Sequence, residues 1–328
     1  MQRRQLLLAS LGCAGMAAAS AASTAPHLHW RQRSLLGLGT TLTLRATHTR
    51  PEQAELALDA AVAAIGRVET AMSLYRPESE LARLNRQGHL DQPGPDLLAV
   101  LRMAQTVSAR SAGRFDVSVQ PLWALHDQAR REGRLPTPAE IRAARQRVGW
   151  QHVDVNARRI TLRQPGMALT CNGIAQGHAA DVARAALRSH GVEHALINTG
   201  EYAALGHNER GQAWTLGIEN PHDEQRLLAA LHSDGRAVAT SADNRSAFTP
   251  DHRHHHIFDP ATGNSPPKLS SVTVLAPSAM LADALTKVMF VAGPQHIARL
   301  ARQWQVGVLN LTPFHGHFQT ERKSPRCP

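Results

Sequence analysis

The sequence predicts an α+β fold, one compact unit with a mostly antiparallel sheet and flanking helices. Three observations predict it. Helix-period and strand-period stretches alternate irregularly, without the regular strand–helix–strand rhythm of a parallel sheet. The strand-like runs are short and bounded by turn residues. The chain of 328 residues is 42% hydrophobic and 19% charged, ordinary for a folded protein, which excludes a disordered, collagen-like or polytopic membrane chain. No internal repeat and no long linker divides it.

Taken in order, Thr49-Arg50-Pro51-Glu52 reads as a capping box with Pro in the first turn. It opens a helix periodic through Leu56, Ile65, Val68 and Met72. A second helix is expected from about Asp96 to Ser111, stopping at Gly113. Thr137-Pro138-Ala139-Glu140 repeats the start signal, and Gly149 is expected to end that helix. Gly-, Pro- and Asn-rich stretches between these helices read as loops. Val153–Val155 and Ile160–Leu162 form a hairpin around Asn156 to Arg159. A helix from Ile174 to Ser189 ends at Gly191. Strands follow at Ala195–Asn198, Trp214–Ile218, Ala237–Thr240, Val272–Leu275 and Val306–Leu311, with a helix from Ala279 to Val291 before Gly293-Pro294.

The N-terminus reads as an address. Arg3 and Arg4 precede an apolar, small-residue run from Leu6 to Ala19 and a cleavage-like Ala19-Ser20-Ala21. The adjacent arginines resemble a twin-arginine export signal. An ordinary secretion signal and a lipoprotein cut before Cys13 are the alternatives. Residues 1–22 are thus expected to be removed, 30–315 to form the domain and 316–328 a tail. Loss of Arg3 and Arg4 leaves +8 of the formal +10 charge, which suits anionic partners such as phosphates or acidic protein faces. Aromatics at 4% argue against a base-stacking nucleic-acid surface. Three Cys make no disulfide framework.

Four segments could carry chemistry. Gly113-Arg114-Phe115-Asp116 follows a helix end; Asp116 could accept from a ligand, or the segment is a cap and turn. Thr170 to Gly177 runs into a helix start, where N–H groups favour phosphate, or where glycines merely allow tight packing. It lacks the P-loop and dinucleotide signatures. His252-Arg253-His254-His255-His256 could bind a transition metal, supply an acid or base, or be a plain loop before Asp259-Pro260. Asp283 and Thr286 are neighbours on a helix and could hold a hard cation, or Asp283 is an acid favoured by the helix dipole.

These segments, in this order, resemble the ApbE family of FAD:protein FMN transferases. The resemblance is carried by Leu38-Gly39-Thr40, by Glu69 to Tyr75 with Ser79-Glu80-Leu81 and Leu84-Asn85, and by Gly113 to Asp116 with Pro121-Leu122. It continues through Asn172 to Gly177 with Asp181, Trp214 to Pro221, His255 to Gly263 and Ala282 to Leu285. Thr199-Gly200-Glu201 and the Thr170 to Gly177 segment look like the NosX branch that accompanies nitrous oxide reductase. The resemblance implies a T-fold-related domain. It also implies Mg²⁺-dependent transfer of the FMN half of FAD to a Thr or Ser of an exported flavoprotein, releasing AMP in the periplasm. That target would belong to nitrous oxide reduction or membrane electron transport.

Carried over residue by residue, the resemblance places FAD contacts at Leu38, Tyr75, Arg114, Phe115, Asp116, Thr170, Gln176 and Ile257. Mg²⁺ falls to Gly173, Asp283 and Thr286, and the catalytic roles fall to His256 and Asp283. Four positions depart from the family pattern. Thr170 stands for Asp, Gln176 for Lys or Glu, Glu201 for a Gly, and Lys287 for a metal-binding Thr. Lys287 implies a weakened metal site. The alternatives are a non-catalytic FAD-binding accessory or flavin carrier of the periplasm, and a metal-binding protein using the His tract.

Overall fold

The computed structural model describes residues 27–314 and 317–323, so the export signal, Cys13, Cys327 and the end of the tail lie outside the described residues. The strands are β1 His29–Gly37, β2 Thr40–His48, β3 His89–Asp91, β4 Val153–Val155, β5 Arg159–Leu162, β6 His194–Asn198, β7 Tyr202–Leu205, β8 Thr215–Asn220, β9 Asp223–His232, β10 Ala237–Ala242, β11 Ser271–Ala276, β12 Gly307–Phe314 and β13 His317–Lys323. The helices are α1 Pro51–Met72, α2 Glu80–Gln87, α3 Pro95–Arg110, α4 Gln120–Arg131, α5 Pro138–Arg145, α6 Ala175–Ser189, α7 Ala279–Ala292 and α8 Pro294–Trp304. One eight-stranded sheet runs β1-β2-β6-β7-β10-β11-β12-β13, antiparallel at every pair. A three-stranded β3-β5-β4 sheet and the β8–β9 hairpin complete it. The expected α+β class with a mostly antiparallel sheet is what forms.

Period-2 alternation divides the sheet's two faces. Leu42, Leu44, Ala46, Val272 and Val274 point into the main core beneath the helices. Helix α1 packs on β1 and β2, α6 on β6 and β7, α7 on β10 and β11, and α8 on β12. Leu196, Val238, Leu275 and Leu309 point the other way and are covered by Leu216, Ile218 and Ala229 of the β8–β9 hairpin. No helix among the described residues is long and apolar enough to cross a membrane.

Several expected elements shift. Helix α1 is N-capped by Arg50 with no side-chain cap bond, so Thr49 makes no capping box. Pro51 sits in the first turn, where its missing N–H costs nothing. Leu56 is 52% exposed, and the buried stripe is Ala54, Ala57, Leu58, Ala61, Ile65, Val68 and Met72. Small residues on that stripe let α1 approach α6, which answers with Ala179, Ala180 and Ala183. The Thr137 capping box forms on both sides with Glu140, whose carboxyl its partners hold down at about 2. That helix ends at Arg145, before Gly149.

Helices α2, α4 and α8 replace expected loops or silence. Ser79 caps α2, which buries only Leu81 and Leu84. In α4 the buried face includes His126, a polar residue that breaks the apolar period. Pro294 starts α8 at its first turn, although Gly293-Pro294 reads as a stop. The long β1–β2 hairpin, β7, β9 and the tail strand β13 were likewise not anticipated.

Glycine is required where α6 meets α7. A Cβ on Gly177 would sit 2.3 Å from the Ala279 carbonyl oxygen and 2.8 Å from Met280 Cα. Neither backbone atom can step aside cheaply. Gly177→Ala is therefore expected to cost about 3 kcal/mol, the upper end for overpacking, as a lower urea midpoint at unchanged slope. Asp181 holds the same junction by accepting from the Ala279 and Met280 N–H groups at 3.0 and 2.9 Å.

The His-tract loop is anchored by a separate cluster of Leu122, Ala144, Phe258 and Phe248, with the His126 ring against both phenylalanines. Burial lowers His126 to about 4, while an unfolded histidine titrates near its ordinary 6.5. The unfolded chain therefore takes up this proton first, and stability falls as pH drops from about 6.5 toward 4. His126→Phe is expected to narrow the gap between melting temperatures at pH 7.5 and pH 5, read by circular dichroism. An unchanged gap would rule out His126 as a source of acid sensitivity.

Candidate active site

The site assembles where four segments meet at one end of α6 and α7. Helix α7 contributes Asp283, Thr286 and Lys287. Ser278 caps the helix start by accepting from the Leu281 N–H at 3.2 Å. Asp283 is fully buried. One of its carboxylate oxygens, Oδ1, is ion-paired with Lys287 Nζ one helical turn on. The other accepts the Gly177 N–H at 3.2 Å, placing a negative charge at the N-terminal turn of α6.

The segment 170–175 turns before α6. Cys171 O accepts from the N–H groups of Ile174 and Ala175. Gly173 leaves the space that Lys287 fills: a Cβ there would lie 3.2 Å from Lys287 Cε and 3.6 Å from Phe115 Cε2. Phe115 is buried and ends this wall. The Thr170 N–H donates to Val117 O at 2.8 Å, tying the two segments together, and Thr170 Oγ1 accepts from the Asn172 N–H. Cys171 carries a free, buried thiol that burial pushes up to about 12, an inert group.

From the sheet side, Glu201 lies just before β7 and is buried, its Oε2 accepting the Thr240 N–H at 3.0 Å. Burial raises its carboxyl well above the usual range. The neighbouring Asp283 pushes it further, against the pull of Lys287. Two carboxyls and one ammonium thus lie close together in a largely buried setting. Half-buried His256 completes it. Burial drives its imidazole down to about 3, with repulsion from His255 and Lys287 adding to the effect. It is neutral at physiological pH.

The other expected contacts take mixed positions. Leu38 lies in the β1–β2 turn at φ +52°, an unfavourable conformation for a branched residue. Its carbonyl accepts from Gln176 Nε2 at 3.4 Å, so these two are brought together. Tyr75, past the end of α1, is 81% exposed. Arg114 is held to Ser111 O at 2.8 Å and lines a small recess with Asp259 and His296. Ile257 is buried in the main core. Asp116 is committed internally: one oxygen takes the Ser118 N–H and hydroxyl, the other the Trp150 N–H at 2.9 Å. Its visible role is to shape the 115–118 turn.

The donor set does not fit a divalent cation. Asp283 is occupied by Lys287 and Gly177. The Thr286 hydroxyl donates to the Asp283 carbonyl at 2.6 Å and meets Ser241 Oγ at 2.7 Å, both buried. Among the described residues, no three His, Cys, Asp or Glu side chains converge to hold a metal, the His tract included. A cleft of about 790 Å³ adjoins the site at His255 and is lined by His222, Asp243, His252 and Pro313. It contains neither Asp283 nor Lys287, so it is a neighbouring space rather than the chemical centre. Sequence spacing also offered Thr286 as the neighbour of Asp283, but the partner that forms is Lys287, the other charged residue of an otherwise uncharged helix, one turn on.

The site thus brings together a lysine held by a buried acid, a neutral histidine and a glycine-opened turn before α6. The chain belongs to the ApbE family, whose model matches residues 38–310. A Vibrio cholerae protein named FAD:protein FMN transferase is 33% identical over 271 residues, covering 80% of each chain. One from Salmonella typhimurium with the same name is 29% identical, covering 76% of this chain and 75% of its own. The solved flavin transferase ApbE from Vibrio cholerae superposes with a TM-score of 0.79 at 27% identity, covering 91% of this chain and 98% of its own. The apo flavinyl transferase ApbE of Pseudomonas stutzeri gives 0.78 at 26% identity, covering 90% and 94%.

Proposed function

We propose that this chain is an FAD:protein FMN transferase. It moves the FMN moiety of FAD onto a Thr or Ser hydroxyl of an exported flavoprotein and releases AMP. The observation that carries the reading is the Lys287 ammonium, fixed by buried Asp283 next to neutral His256, within a chain that the ApbE model matches over 38–310. The ammonium would meet the diphosphate as a point charge. The acceptor oxygen attacks the FMN-side phosphorus, the new P–O bond forms, and the bridging bond to the AMP phosphate breaks. His256 takes the hydroxyl proton. Burial is the main reason the imidazole sits near 3; a bound anionic diphosphate would favour its protonated form and offset the smaller repulsion from Lys287. Phe115 and Leu38 supply apolar walls for a ring system.

The twin-arginine-like start supports export to the periplasm, where the acceptor would be met. Incubating the protein with FAD and a purified exported flavoprotein tests the reading. Covalent flavin on a Thr or Ser of the acceptor, with equimolar AMP, is expected. Tight FAD binding with no covalent product would instead support a flavin carrier.

A further inference from the structure

We infer that the Lys287 ammonium is this protein's resident cation, so that its site takes the diphosphate of a flavin dinucleotide without a divalent metal. The inference deepens the FAD reading above and rests on it for the ligand's identity. Its geometry stands separately.

Three contacts place the ammonium where a divalent ion would have to sit. Asp283, fully buried, spends one oxygen on Lys287 Nζ and the other on the Gly177 N–H. The lysine stem lies against Gly173, the position whose missing side chain makes room for it. The Thr286 hydroxyl is turned to Ser241 and to its own helix carbonyl. A metal ion could enter only by expelling the ammonium from a pocket that also holds buried Glu201. That exchange breaks the buried Lys287–Asp283 ion pair, and an ammonium that stayed nearby would repel the ion. The lysine side chain is 17% exposed, so the residue is not sealed from solvent. Asp283 uses one of the three ammonium donors, leaving the others to face an anion. A lysine fixed in this way supplies one charge and directed hydrogen bonds, as lysines do at other phosphate sites.

The test uses the full mature protein, stripped with chelator. Mn²⁺ titration followed by electron paramagnetic resonance should show no stoichiometric site in the wild type. FAD titration by calorimetry should give the same Kd, within about twofold, in EDTA and in excess Mg²⁺. Lys287→Thr should create Mn²⁺ binding and weaken metal-free FAD binding by about tenfold or more, the worth of one charge-assisted contact. Lys287→Met, which keeps the stem, should lose metal-free FAD affinity in the same way. Stoichiometric Mn²⁺ in the wild type, or a tenfold tightening of FAD by Mg²⁺, would overturn the inference. If no FAD binds under either condition, the FAD reading fails. The wild-type Mn²⁺ titration still decides whether the ammonium fills the cation's position.

Discussion

Replacing Asp283 by alanine is expected to abolish FMN transfer and to destabilise the fold by about 3–5 kcal/mol, the usual cost of stripping one partner from a buried ion pair. The lower end applies, because Lys287 keeps 17% of its side chain in solvent and can partly swing out. Three things fail together: the lysine loses its anchor, the Gly177 N–H at the start of α6 loses its acceptor, and Glu201 loses a neighbour that holds its proton on. Asp283→Asn separates these effects. It can keep an acceptor for Gly177 while removing the charge. It is expected to fold better than the alanine variant and still to bind FAD poorly, because the ammonium is no longer held in place. Urea melts and FAD titrations on the two variants check this. An alanine variant with wild-type transfer would show that the Asp283–Lys287 pair lies outside the chemistry.

His256→Gln is expected to lower the single-turnover transfer rate by about 10²–10⁴, the range for loss of a general base. FAD affinity should change only a few-fold, because glutamine keeps the volume and a hydrogen-bonding end but cannot take the proton. The split between rate and binding is the informative readout. A variant that loses binding but turns over normally at saturation would make His256 a ligand contact only. An unchanged rate would assign the proton to another group.

Much of the fold was legible because the signals were local. The Thr137 capping box, the Asn156 hairpin and the α3, α6 and α7 helices follow from spacings of a few residues. The losses have physical causes. Helix α2 buries two leucines on a polar background, and α4 puts a histidine on its buried face. The β1–β2 strands carry Arg and Thr between their apolar residues because one side of this edge pair meets solvent. Leu56 is apolar by sequence but faces out, since α1 meets α6 through alanines.

At the site, the segments were legible and the pairings were not. Gly173, Phe115, Asp283 and His256, which come from four motif segments, all lie around Lys287. Asp116 and Thr286 instead satisfy local backbone and hydroxyl groups, which no spacing reveals. Glu201 and Lys287 stood out only as departures from a family pattern. Their meaning as ionisable groups beside Asp283 comes from the tertiary fold, which brings Glu201, just before β7, against the Asp283–Lys287 pair of α7.

The most direct measurement is an experimental structure of the protein with FAD bound. The diphosphate is expected within hydrogen-bond distance of Lys287 Nζ, beside the His256 ring, with the flavin or adenine ring near Phe115 and Leu38. A diphosphate seated instead in the cleft between His222 and Pro313, out of reach of Lys287, would contradict that placement.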